Sequence, residues 1–350
     1  MTKRINKQLT EEIVKPAKSR GILISLLGTL IVVFLVNLLA TWYLKKHTTN
    51  RAYWLIREKW EMLLGLKQPV DWLILGDSSC NQGLVPSLFN EKLDVTSLNL
   101  CTVANILTLN DAWMLDKYIQ KFGPPQNVLI VHVSDIWYRS VDYWSLAKVP
   151  LKWGYWGQLE PKITFSVRDT YKLFLRRYVS LYTENKSVAS LFKIFLDTSN
   201  QNTEFRLETD GFMVWNQPDP GRVKYDTEEQ VKLIEGKKFD ISRPNRQALE
   251  AIATLAKEHG FNVYLVNSPI YEGLYENKDF RAYYSQMQET LSTYALKNER
   301  LYYIREPITF PKEQMQNTDH LIYSAAKVYT NKLATEIVLM QKDTKIQESK

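Results

Sequence analysis

Hydrophobic and polar positions divide the chain into two regimes. Between Gly21 and Leu44 no charged side chain occurs, and Asn37 is the one strongly polar residue in the run. At about 1.5 Å per residue, such a run crosses the core of a bilayer as a helix. It is longer than the apolar core of a signal peptide, and no clean Ala-x-Ala site follows, so it reads as a retained anchor. Residues 45–69 read as a juxtamembrane linker with helical spacing of Tyr53, Leu55, Ile56, Trp60, Leu63 and Leu64. From Val70 onward, short apolar runs alternate with amphipathic stretches. Trp72–Leu75, Val95–Leu100, Asn127–Val133, Phe261–Val266 and Leu301–Ile304 have strand character. Leu107–Phe122, Arg246–Glu258, Asp279–Leu296 and Ser324–Gln341 have helical character; Gly123-Pro124 closes the first and Gly260 the second. Asn127–Val133 is apolar on both faces apart from His132, the pattern of a strand covered on both sides. The alternation predicts an α/β fold: a doubly wound, mostly parallel sheet with helices on both faces, over residues 70–342. A basic tail (residues 1–20) and a charged tail (residues 343–350) flank the whole.

Residues 137–240 break this rhythm. They are rich in aromatics, among them Trp137, Tyr143, Trp144, Trp153, Tyr155 and Trp156, and read as a long insertion with two uses for its rings: packing against the sheet, which is favoured, or stacking on sugars or lying at the membrane interface. Arg176 and Arg177 fall within a predicted helix, and Pro218-Asp219-Pro220-Gly221 marks a turn.

The net charge of +7 is spread along the chain, with no dense basic block outside the flanks of the apolar run. That argues against nucleic acid as a partner. The juxtamembrane bases, including Lys45, Lys46 and Arg51, suit anionic lipid headgroups, so membrane lipid is the expected partner. The short basic leading tail and the large trailing domain predict a single-pass protein with its N-terminus cytoplasmic and its domain extracytoplasmic. The four histidines are scattered and no Cys-x-x-Cys occurs, so neither a metal nor another cofactor is expected.

The candidate chemistry lies at Leu75-Gly76-Asp77-Ser78-Ser79, where an apolar run ends abruptly. Ser78 would stand at the carboxyl end of a strand, where open α/β sheets put their chemistry. Gly76 permits a tight turn, and N–H groups around Ser78 and Ser79 are candidate oxyanion donors. About 240 residues downstream, Asn317-Thr318-Asp319-His320 precedes the last helix. His320 is the candidate base for Ser78, with Asn317 or Asp319 to orient its ring. A plainer alternative makes Asp77 or Ser78 a helix N-cap and His320 a polar loop residue.

The segment GDSSCNQG resembles the GDSxxxxG first block of the SGNH (GDSL) hydrolase superfamily, with Ser78 at the nucleophile position and Gly83 at the closing glycine. NTDHL, followed by Ser324-Ala325-Ala326, is similar to the DxxH fifth block, with His320 as base. The layout is similar to the membrane-anchored envelope branch, which includes the D-alanyl transfer protein of teichoic acid synthesis and alginate O-acetyltransferase-like proteins. The likeness covers residues 70–135 and 243–340. It implies acyl transfer to, or ester hydrolysis from, a cell-envelope polysaccharide through an acyl-enzyme on Ser78. It also implies a multi-spanning acyl exporter as partner, and an oxyanion held by the Ser78 N–H with Ser134 and the Cys101 backbone. Cys101 stands where the second block has glycine, Ser134 where the third has asparagine, and Asn317 where the fifth has aspartate. These departures suit a second reading, a non-catalytic relative that binds glycan or scaffolds an envelope assembly. Cys80 and Cys101 follow the first two strands, and a disulfide between them fits an oxidising compartment.

Overall fold

Five of the apolar runs become the strands of one parallel sheet: β1 (Trp72–Gly76), β2 (Ser97–Asn99), β3 (Asn127–His132), β4 (Asn262–Asn267) and β5 (Leu301–Ile304). Their order across the sheet is β2-β1-β3-β4-β5. The computed structural model describes residues 17–46, 50–183 and 206–348; most of the basic tail lies outside these. The principal helices are α1 (Ala17–Lys46), α2 (Arg51–Gly65), α3 (Ser78–Gly83), α4 (Pro86–Leu93), α5 (Thr108–Phe122), α6 (Val167–Tyr178), α7 (Pro220–Ile234), α8 (Arg243–His259), α9 (Lys278–Leu296) and α10 (Tyr323–Glu348). Of the charged tail, residues 343–348 continue α10.

Alternation along each strand builds two cores, one on each face of the sheet. Leu73, Leu75, Val128, Ile130, Val263 and Leu265 join α5, α8 and α9 in one apolar cluster. Trp72, Ile74, Leu129, Val131, Tyr264 and Val266 join α4 and α10 in the other. A parallel sheet with helices on both faces is therefore present, as the periodicity predicts. Gly123 and Gly260 cap α5 and α8 at the expected places.

Two stretches differ from expectation, each for a packing reason. The presumed linker contains α2, whose Ile56, Trp60 and Leu63 are buried in the first cluster, with Trp60 Nε1 donating to Asn110 Oδ1 at 3.0 Å. It is part of the α/β unit. Pro218–Gly221 is the start of α7: Asp219 accepts from the Arg222 N–H, and Pro220 sits at the first helical turn, where its missing N–H is harmless. The aromatic insertion sends rings into the core, as expected. Trp137 and Tyr155 are buried in the main core, and Tyr155 meets Trp113 edge-on with centroids 4.7 Å apart.

The described residues fall into two compact units. One is the α/β unit, residues 50–173 and 206–348. The other joins α1 to residues 174–183. Within α1, Gly21–Leu44 has a mean hydropathy of 2.8, long and apolar enough to cross a membrane.

Candidate functional site

The strand order reverses between β1 and β3, so their carboxyl ends form the crevice where open α/β sheets receive ligands. Gly76 ends β1 with φ +145°, and a Cβ there would lie 2.0 Å from Val131 O. Only glycine allows this close strand approach. Gly76 is thus a packing requirement; its carbonyl accepts from Thr102 N at 2.9 Å.

Asp77 caps α3 and organises the turn. Its Oδ1 accepts from Ser79 N at 2.9 Å and Ser79 Oγ at 2.6 Å, and its Oδ2 accepts from Val133 N at 2.8 Å. Ser79 is therefore committed to Asp77, which corrects the expectation of an oxyanion donor there. The cap leaves Ser78 at the first position of α3. Among the described residues, neither its backbone N–H nor its Oγ has a hydrogen-bond partner.

Below this turn lies a network that sequence reasoning missed. His132, at the end of β3, faces Asp77 Oδ2 through Nδ1 at 3.2 Å and Asp111 Oδ2 through Nε2 at 2.6 Å. All three side chains are buried. Burial opposes the imidazolium charge, but Asp111 and Asp77 outweigh it and push His132 up to about 9. Burial alone would raise Asp77, yet bonds from His132, Ser79 and Val133 hold it down at about 2. Burial raises Asp111 against the pull of His132. The charged ring thus clamps β3 to the cap of α3 and to α5. Asp111 was hard to foresee because a carboxylate in the first turn of an amphipathic helix normally faces solvent.

His320 stands in a tight loop closed by Gln316 N donating to His320 O at 2.8 Å. Asn317 Oδ1 accepts from Asp319 N at 3.0 Å and from His320 N at 2.7 Å. The ring Nδ1 faces two acceptors, Asn317 Oδ1 at 2.8 Å and Asp319 Oδ1 at 2.7 Å. Both accept only, so Nδ1 carries the proton and Nε2 is the basic atom. Nε2 has no hydrogen-bond partner among the described residues. Burial works against charge on His320, but Asp319 and then Asp77 raise its pKa above the ordinary value, with Arg51 opposing. The carboxylate missing from the position of Asn317 is thus present two residues later.

Ser78 and His320 line one cavity of about 450 Å³, together with Asn317, Asn81, Gln82 and Val103. Arg51 and Arg222 also border it. Among the described residues, the Asn81 amide and Gln82 Oε1 are buried without a hydrogen-bond partner. The Cys101 backbone is not available for an oxyanion, because its N–H donates to Asn99 Oδ1 at 3.0 Å and its side chain is bonded to Cys80. Two residues on, the Val103 N–H has no acceptor among the described residues. Ser134 follows β3 in a turn and is not among the residues lining this cavity. Its neighbour Asp135 pairs instead with Arg139.

A second hub was equally invisible in the sequence. Asn99, at the end of β2, donates to Cys80 O at 3.3 Å and Leu84 O at 3.1 Å, tying β2 to α3. The fully buried Lys59 donates to Asn99 O at 2.8 Å and to Gly211 O, and burial lowers its pKa well below the ordinary value. The Cys80–Cys101 disulfide joins the same two segments. No protein-family model matches the chain, and no curated protein does either.

Proposed function

We propose that the α/β unit is a serine acyltransferase or esterase of the SGNH type, tethered by α1 and acting on a hydroxylated cell-envelope polymer. The observation that carries this reading is the shared cavity of Ser78 and His320, distant in the chain, with the Nδ1 side of His320 held by Asp319 and Asn317. Ser78 Oγ attacks the acyl carbonyl and passes its proton to His320 Nε2. The Asp319 carboxylate stabilises the imidazolium. The oxyanion is received by the N–H groups of Ser78 and Val103. Collapse expels the alcohol, which takes the proton from Nε2, and leaves an acyl-serine. Water or a hydroxyl of the acceptor then repeats the sequence in reverse.

Gln316, Asn317, Arg51 and Arg222 place polar groups on a wall that also carries Leu55, Val103 and Met213, a mixed lining suited to an acyl chain and a hydroxylated acceptor. The Cys80–Cys101 disulfide and the basic leading tail favour an extracytoplasmic domain. The envelope polysaccharide and the multi-spanning acyl exporter stand as partners on the family resemblance. The test is intact-protein mass spectrometry after exposure to p-nitrophenyl acyl esters. A single acyl adduct is expected, absent in Ser78→Ala; an adduct that survives Ser78→Ala refutes the assignment.

A further inference from the structure

The polar residue inside the apolar run has an unexpected partner. Asn37 Nδ2 donates to Tyr178 O at 2.5 Å, and Asn37 Oδ1 accepts from Leu181 N at 3.3 Å. One turn further along α1, Thr41 Oγ1 donates to Ser180 Oγ at 2.9 Å. Tyr178 is the last residue of α6, where carbonyls lose their helical partners. In water such a helix end is hydrated and needs no side chain. In hydrocarbon it must be satisfied by protein. The Asn37 amide supplies both a donor and an acceptor there. The faces of α1 around it are apolar and exposed, including Phe34, Leu39 and Trp42.

The docked segment also has the composition of a membrane boundary. Phe174, Tyr178 and Tyr182 recur every four residues and are 45%, 41% and 72% exposed. Arg176 and Arg177 lie between them. Exposed aromatics interleaved with arginine mark the bilayer–water interface. Asn37 lies seven residues before Leu44, the end of the apolar run. At about 1.5 Å per residue this is about 10 Å of depth, matching the roughly 5–10 Å to which interfacial helices sink.

We propose that residues 174–183 form a second membrane-contacting element, lying in the lipid interface and pinned there by Asn37. The proposal rests on α1 being a membrane span, and its test separates the two. The full chain, with its disulfide intact, is labelled with the fluorophore NBD at Tyr182→Cys and Phe174→Cys. Trp42→Cys serves as the span reference and Leu296→Cys, 90% exposed on the α/β unit, as the solvent reference. Each is placed in phosphatidylcholine–phosphatidylglycerol vesicles. The labels at 174 and 182 are expected to lose emission to lipid-borne nitroxides as strongly as that at 42, and to resist aqueous iodide. Iodide quenching equal to that at 296 overturns the proposal. Shielding from both quenchers also overturns it, in favour of a protein contact. If the label at 42 also escapes the nitroxides, the span reading itself has failed.

Discussion

Replacing Asp111 by Asn tests the buried network beneath Ser78. The substitution is nearly isosteric but removes one of the two carboxylates that hold the His132 ring, the nearer at 2.6 Å. Holding His132 at about 9 instead of 6.5 corresponds to about 3 kcal/mol of stability, at about 1.4 kcal/mol per pKa unit. Deleting one partner of a buried ion pair costs about 3–5 kcal/mol, a consistent figure. The sign follows from linkage: a base raised on folding stabilises fully below its unfolded value and loses that contribution as pH rises through its folded value. The His132 contribution is therefore present below 6.5 and gone above about 9. Asp77 acts at the other end, losing its contribution as pH falls from 3.8 through about 2. Asp111, raised on folding, offsets part of the total. Urea unfolding of the full chain in detergent, followed by tryptophan emission, should show Asp111→Asn destabilised by about 3 kcal/mol near neutrality. The fall in stability at high pH should flatten in the variant. In ¹⁵N-histidine spectra of the parent protein, both ring nitrogens of His132 should stay protonated at neutral pH. A ring that titrates near 6.5, or a variant with an unchanged midpoint throughout, would refute the charged clamp.

Asp319→Asn removes the charge facing His320 but leaves Asn317 Oδ1 to fix the tautomer, so esterolysis should fall about 10³-fold, short of the roughly 10⁴-fold typical of a triad that loses its Asp. Adding Asn317→Ala should bring the full loss, and stopped-flow ester hydrolysis measures both; equal activity in all three proteins would exclude Asp319 as the orienting group. Gly211→Ala sets a Cβ 1.9 Å from Asn99 O at φ +90°, so the thermal midpoint should drop by an amount equivalent to about 2–4 kcal/mol. An unchanged midpoint would show that the Lys59–Asn99 hub tolerates displacement.

Much of this architecture is legible in the chain because periodicity reports burial. Asn127–Val133 reads as a strand covered on both faces, and β3 has a core on each side. Ser78 at a strand end and His320 before the last helix are likewise visible as local patterns. The supporting shell is not, because it depends on tertiary partners that no spacing encodes. Lys59 looks like one more cation on an amphipathic helix, yet it is fully buried against backbone carbonyls. Asp319 is adjacent to His320, and only the Asx turn at Asn317 brings its carboxylate onto Nδ1. Ser79 suggests an oxyanion donor by its place near a helix start, and Cys101 only through the family resemblance, but their N–H groups are consumed by the local caps of Asp77 and Asn99. Asn37 reads as a tolerable flaw in an apolar helix until Tyr178 and Leu181 appear beside it.

The pairing of Ser78 with His320 is tested most directly by the rate of fluorophosphonate labelling, with the modified residue mapped by tandem mass spectrometry. Ser78 alone should be phosphonylated, and His320→Gln should slow the reaction by roughly 10²–10⁴-fold, the usual worth of a general base. Labelling elsewhere, or an equal rate without His320, would contradict the pairing and leave the glycan-binding scaffold as the better description.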